Sequence, residues 1–305
     1  MSAPSFLVER EQGRPEVVVV CDHASSVIPD ELGDLGLPAS ARGSHIAYDL
    51  GALSVASRLA ERLDATLVAS GHSRLVIDCN RPPAVASSIP EVTGGVTVPG
   101  NVGLDAAERE LRRQRSFEPY HAAVRAALDA RCDARQGRGP VLLSVHSFTP
   151  ELLGVARPWH VALLYGRDAR LAHAVRDVLR ADASLTVGDN EPYRVTDESD
   201  YTVPVHGERR GLLHTAFELR QDGLATEESA RAWGDRLFEA LRAIDLDALL
   251  RQRDRRAGST PPRARGMSAP CRSACASSAS GTSAARRPPR RCSASARRAR
   301  ACRAS

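Results

Sequence analysis

The chain has 305 residues, 42% of them hydrophobic, which suits one large folded domain or two small ones and excludes a wholly disordered chain. Charge is unevenly placed: residues 251–305 hold 15 Arg and one acid, Asp254, leaving 27 basic against 36 acidic groups in 1–250. An acidic body argues against nucleic-acid binding, which needs a basic face. Apolar runs as short as Val17–Cys21 and Val161–Tyr165 argue against a bilayer span, which needs about 20 residues.

The N-terminus has no cationic start followed by an apolar stretch, so secretory export is not expected. Val17–Cys21 is an unbroken β-branched run and reads as a buried strand. His45–Leu63 reads as a helix, because Ile46, Leu50, Leu53, Ala56, Leu59 and Leu63 recur every three or four residues. Ala65–Ala69 and Leu75–Ile77 read as strands. A helical stretch is expected from Asn101–Gly103 to about Cys132, interrupted at Pro119. Val141–Val145 reads as a strand that stops at His146, and Val161–Tyr165 as another, with a helix over Asp168–Leu179. Thr215–Leu219 is a late strand and Thr226–Leu241 a final amphipathic helix. Strands alternating with helices predict an α/β layer structure around a mixed, largely parallel sheet.

From Ala257 the chain is mostly Arg, Ala, Ser, Pro and Gly, with neither Leu nor Val. Such a segment cannot bury enough surface to offset its chain entropy. Residues 1–250 are therefore expected to form the domain and 251–305 a disordered tail. The tail reads either as a basic arm or as a read-through extension of a GC-rich gene. Cys21, Cys79 and Cys132 in the body make no disulfide framework and fit buried thiols in a reducing cytoplasm. Cys271 and Cys275 are spaced C-x3-C but lack the partners of a zinc finger.

Reactive residues collect just after strand ends, where open α/β sheets bind ligands. Four corners stand out: 22–25, 73–81, 144–148 and 217–220. Together they hold two His, a Glu, several Arg, an Asn and two Asp, the inventory of a metal-assisted amide hydrolase. Arg side chains suit a developing oxyanion and a substrate carboxylate. Each piece alone has a plainer reading. His23 or His146 can be an ordinary satisfied histidine, Arg81 can end a strand and pair on the surface, and His45 with Asp49 can be a simple helix-surface pair. Glu218 inside an apolar strand is odder, because burying a carboxylate unpaired costs several kcal/mol. Gly188–Tyr193 is either a lid that carries Tyr193 over a pocket or a plain turn.

The motifs as a set resemble the N-formylglutamate amidohydrolase family. They are Asp-His-Ala-Ser (22–25), His-Ile-Ala-Tyr-Asp-Leu-Gly-Ala (45–52), Ser-Arg-Leu-Val-Ile-Asp-Cys-Asn-Arg-Pro (73–82) and Val-Pro-Gly-Asn (98–101). Ser-Val-His-Ser-Phe-Thr-Pro (144–150), Arg-Pro-Trp-His (157–160), Gly-Asp-Asn-Glu-Pro-Tyr (188–193) and Phe-Glu-Leu-Arg-Gln-Asp (217–222) complete the set. The resemblance covers about residues 15–245.

It implies a three-layer α/β/α fold with a mixed, mostly parallel central sheet, related to zinc carboxypeptidases. It also implies hydrolysis of N-formyl-L-glutamate to formate and L-glutamate, a step of histidine degradation, or else of another N-acyl amino acid or small peptide. One Zn2+ or another divalent ion is implied, with a small-molecule substrate and neither nucleic acid nor membrane as partner. His23 and His146 match the family fold's histidine ligands. The glutamate ligand that follows the first His by three residues in that fold is Ser26 here. Asp49 becomes the candidate second ligand, with His45 behind it. Glu218 matches the general base, Arg74 the group that polarises the scissile carbonyl, and Asn80 with Arg81 the grip on a terminal carboxylate. Arg220 either steadies Glu218 or reads a second carboxylate, and Tyr193 is a candidate substrate contact.

Overall fold

Val17–Cys21 is a strand with every residue buried, as its composition predicts. In the computed structural model, which describes residues 3–14, 16–134 and 139–251, it lies inside a seven-stranded sheet. The strands are β1 (Phe6–Glu9), β2 (Val17–Cys21), β3 (Thr66–Ser70), β4 (Val141–Phe148), β5 (Val161–Leu164), β6 (Val187–Asp189) and β7 (His214–Arg220). Their spatial order is β1-β3-β2-β4-β7-β5-β6. Strands β3, β2, β4 and β7 run parallel. β1 pairs antiparallel with β3 at one edge, and β5 with β6 runs antiparallel to β7 at the other. The sheet is mixed and mostly parallel, as expected.

The principal helices are α1 (Ala52–Leu63), α2 (Ala106–Arg112), α3 (Glu118–Ala134), α4 (Arg170–Arg180) and α5 (Glu227–Arg242). Successive strand residues point to opposite faces. Val17, Val19, Leu143 and Val145 share one core with Leu59 of α1, Val175 of α4 and Leu237 of α5. Val18, Val20, Val68 and Leu142 share the opposite core with Tyr120, Val124 and Leu128 of α3. Helices cover both faces, giving the three-layer α/β/α arrangement.

Several expectations are corrected. The helix predicted from His45 begins at Ala52. Ile46 has helical spacing but packs with Leu35 and Val98 in a separate cluster, and the Asp49 N–H bonds the His23 carbonyl at 2.9 Å. His45 and Asp49 therefore do not share a helix face. Leu75–Ile77 is a buried turn rather than a strand, because Ser73 folds back: its Oγ accepts from the Leu75 N–H at 3.2 Å and its carbonyl from the Val76 N–H at 2.9 Å. The helical stretch expected from Asn101–Gly103 begins at Ala106, where Asp105 and Glu108 form a reciprocal cap. Pro119 does not interrupt it. A wide turn over Arg113–Phe117 precedes α3, so the proline falls in a first helical turn, where its missing N–H is tolerated. β4 runs past Val145 to Phe148 and carries His146 within the strand.

Strand β6, though largely buried, has only three residues, and strand β1 is too short and too exposed to show in the sequence pattern. So are two hairpins, Val92–Thr93 with Val96–Thr97 and Glu151–Leu152 with Val155–Ala156. Gly94 and Gly95 both take positive φ, the requirement of a tight two-residue hairpin turn. Further along, Val203–Glu208 forms a wide helical turn. Of the expected tail, residues 252–305 lie outside the described residues. Among the described residues, no helix is long and apolar enough to cross a membrane.

Gly51 opens α1 at φ +76°, and a Cβ there would stand 2.5 Å from the Leu224 Cβ. Gly51→Ala is expected to lower the unfolding free energy by about 1–3 kcal/mol, through left-handed strain and the clash. A fall in the urea midpoint at unchanged slope checks this; an unchanged midpoint contradicts it.

Candidate active site

Three parallel strands deliver the site. β2 ends at Cys21, so Asp22 and His23 emerge just past its carboxyl end. β4 and β7 pair in parallel register with Glu218 opposite His146. The turn after Tyr48 brings in Asp49. Its N–H is fixed to the His23 carbonyl, and its Oδ2 accepts from the Ser147 N–H at 3.3 Å.

Both imidazoles present Nδ1 to one carboxylate oxygen. Asp49 Oδ2 lies 3.2 Å from His23 Nδ1 and 3.0 Å from His146 Nδ1. Each ring's other nitrogen faces its own buried carboxylate: His23 Nε2 donates to Asp78 Oδ1 at 2.7 Å, and His146 Nε2 lies 3.1 Å from Asp22 Oδ2. Asp22 is further held by the Tyr120 hydroxyl at 2.8 Å and the Thr202 hydroxyl at 2.5 Å. Arg74 donates to Asp49 Oδ1 at 3.3 Å and to Asp78 Oδ2 at 2.7 Å.

This donor set fits a divalent metal ion. One atom from each of His23, Asp49 and His146 lies within 4.8 Å of the others. The 3.0 and 3.2 Å separations approach the roughly 3.3 Å edge of a tetrahedron with metal–ligand bonds of about 2.0–2.1 Å. A carboxylate behind each histidine fixes the tautomer and aims Nδ1 inward, the usual arrangement behind metal-bound imidazole. With Nε2–H given outward, a neutral ring would point a lone pair at Asp49, so the cluster calls for positive charge at its centre.

The acid–base balance agrees. Burial alone would raise Asp22 and Asp78. At Asp22 the hydrogen bond and charge of His146, the His23 charge and the Thr202 hydroxyl together outweigh it, and at Asp78 the Arg74 charge with the charge and hydrogen bond of His23 does so, so both stay well below the usual carboxylate range. Burial and Arg74 push His23 down, but Asp78 and Asp49 leave it raised overall. His146, between Asp22 and Asp49, is raised further despite its burial.

Glu218 behaves differently. Burial pushes its pKa up to about 7, the nearby Asp49 charge adds to the rise, and His146 and His23 oppose it. Its Oε2 is buried without a hydrogen-bond partner. Both properties mark a carboxylate held for a proton it does not yet have. Glu218 and the three potential ligands line one cavity of about 250 Å³.

Arg74, Asn80, Arg81 and Tyr193 also line this cavity. Asn80 is largely committed to the protein. Its Oδ1 accepts from the Tyr201 and Thr202 N–H groups at 3.1 and 3.0 Å, and its Nδ2 donates to Asp200 at 3.2 Å. Arg81 donates to the Ser199 carbonyl at 2.5 Å. The Tyr193 hydroxyl accepts from Arg157 at 3.0 Å. Arg220 is not brought in: its guanidinium bonds Asp222 and the Arg157 and Pro158 carbonyls, beyond the cavity lining. His45 stands to one side of the cluster and lines a neighbouring cavity.

Asp22 and Asp78 sat in the reactive corners without an assigned role, and here they orient the two histidines. The signal was local, since Asp22 adjoins His23 and Asp78 follows Arg74 by four. Tyr120 and Thr202 had no such signal.

Fold and site define a class, an α/β/α hydrolase. Residues 15–225 match the sequence pattern of N-formylglutamate amidohydrolase. The chain belongs to the N-formylglutamate amidohydrolase family. Its structure is similar to that of gene product Atu2144 from Agrobacterium tumefaciens, with 37% identity, a TM-score of 0.74, and coverage of 84% of this chain and 97% of that one. It shares the fold of N-formylglutamate amidohydrolase from Ralstonia eutropha JMP134, with 19% identity, a TM-score of 0.58, and coverage of 78% of this chain and 98% of that one. No curated protein matches the sequence.

Asp78→Asn keeps the shape but weakens the support behind His23. If the donor set binds a divalent ion, as its chemistry fits, the substitution is expected to loosen that binding about 10–100-fold, read by competition with a chromophoric chelator. Unchanged affinity would remove Asp78 from the support of the site.

Proposed function

We propose that the protein hydrolyses the amide bond of N-formyl-L-glutamate to formate and L-glutamate as a zinc-dependent deformylase. The observation that carries this reading is the buried, unpartnered Glu218 carboxylate beside a convergent His23–Asp49–His146 donor set. A zinc ion on those three side chains supplies a Lewis acid and a water acidified toward neutrality. Glu218 takes a proton from the attacking water and returns it to the leaving amide nitrogen as the C–N bond breaks. Arg74 donates to the carbonyl oxygen as negative charge gathers there. Arg81 binds a substrate carboxylate, and Asn80 holds the 199–202 wall against which the substrate rests. Asp22 and Asp78 keep the two imidazoles in one tautomer throughout. The free thiols of Cys21, Cys79 and Cys132 support placing this chemistry in the cytoplasm, and histidine breakdown is its natural source of substrate.

Glu218→Gln is expected to retain zinc and to lose turnover by roughly 10²–10⁴-fold. Formate release with metal content on the same sample tests this, and a near-normal rate removes Glu218 from the base role. Because Glu218 must be ionised to accept a proton, kcat/KM falls as pH drops through its pKa. Burial sets that value near 7 and a bound cation lowers it, so the acidic limb belongs at or below about pH 7. An acidic limb centred well above 7 contradicts the assignment.

A further inference from the structure

The reaction centre opens on two sides, and a formyl group needs only one of them. The first cavity, with Glu218, carries Arg81 and Arg194 among its walls, which suits the carboxylates of the amino-acid half. A second cavity of about 180 Å³ adjoins it, and Asp49, Arg74, Ser147 and Tyr193 line both. Its remaining walls come from His45 and Ile46, from Phe148 and Thr149 at and just past the end of β4, from Gln221, and from the two hairpins through Thr93, Gly94 and Leu152. A single water needs roughly 10–15 Å³ of such space, so this lobe has room for several heavy atoms. A formyl carbon would place a single hydrogen there.

The lobe's chemistry selects among larger groups. Asp49 is the only acid in its lining and is already bound to Arg74 and both histidines. Arg157 lies behind the wall, donating to Thr149 and Tyr193, with its guanidinium 5.9 Å from the Phe148 ring. A cation entering the lobe meets guanidinium charge and no free carboxylate. Apolar surface is waiting at the rim instead: Leu152 is 40% exposed and the neighbouring Leu153 93%. We propose that this lobe is an acyl subsite, and that the enzyme also accepts N-acyl amino acids whose acyl group is an uncharged short alkyl chain, while it discriminates against aminoacyl groups bearing an ammonium. The proposal rests on the amidohydrolase reading and deepens it on the acyl side.

Calorimetry on zinc-loaded Glu218→Gln compares N-formyl-, N-butanoyl- and alanyl-L-glutamate without turnover. Each buried methylene is worth roughly a fourfold gain in affinity. The butanoyl compound is expected to bind at least tenfold tighter than the formyl one, with alanylglutamate at least tenfold weaker than butanoyl. Adding Leu152→Trp, at a half-exposed hairpin position that tolerates a larger side chain, should cut the butanoyl-to-formyl preference by at least tenfold. Equal or weaker binding of the butanoyl compound, an unaltered preference in the Trp variant, or alanylglutamate matching butanoyl would each overturn the proposal. The unmutated zinc-loaded chain gives the second readout. Formate release without any butanoate release overturns the acyl subsite alone, release of neither removes the amidohydrolase reading with it, and release of both supports the proposal.

Discussion

One carboxylate oxygen, Asp49 Oδ2, organises the reaction centre. It faces Nδ1 of two imidazoles from different strands and accepts the Ser147 N–H besides. Three electron-rich atoms aimed at one point repel unless positive charge stands between them. The rest of the buried polar structure restrains that repulsion. Asp22 and Asp78 draw the outer ring protons away, Arg74 neutralises two of the acids, and Tyr120 with Thr202 holds Asp22. Each buried charge in this set has a partner that offsets its desolvation, and Glu218 Oε2 is the exception.

That exception separates two kinds of carboxylate within one small volume. Asp22, Asp49 and Asp78 are held ionised by neighbours that donate to them. Glu218, buried in β7 beside Asp49 in the same cavity, has no donor to its Oε2, and its pKa is pushed up to about 7. The same side-chain chemistry therefore supplies fixed negative charge in three places and an exchangeable proton site in the fourth. Environment alone makes the difference.

The reactive corners and the α/β class were legible because they depend on local signals: β-branched runs, helical spacing, and polar residues just past strand ends. His23, His146 and Glu218 could be singled out for that reason. Asp49 was found for the wrong local reason, since its spacing from His45 suggests a shared helix face and the chain forms a turn there instead. Gly51 and the Asp49–His23 backbone bond decide that geometry, and both are tertiary effects. Tyr120 and Thr202 were invisible because their partner, Asp22, is 98 and 180 residues away in sequence. Arg220 looks functional because it follows Glu218 by two residues, which alternation puts on one face, but its guanidinium is taken up by Asp222 and the Arg157 and Pro158 carbonyls, all contacts that local spacing does not show.

Among the described residues, β7 is the last strand to be made and among the most central once the sheet is complete. It lies between β4 and β5, so a growing chain that has reached only β6 holds two separate partial sheets, β1-β3-β2-β4 and β5-β6, with nothing to join them. The ribosome must therefore release nearly the whole body before the layers can close. A nascent chain stalled short of His214 would carry three buried-type carboxylates and two unpaired strand margins into solvent, a state prone to self-association. Synthesis of this protein is hazardous until its seventh strand arrives, and safe soon after.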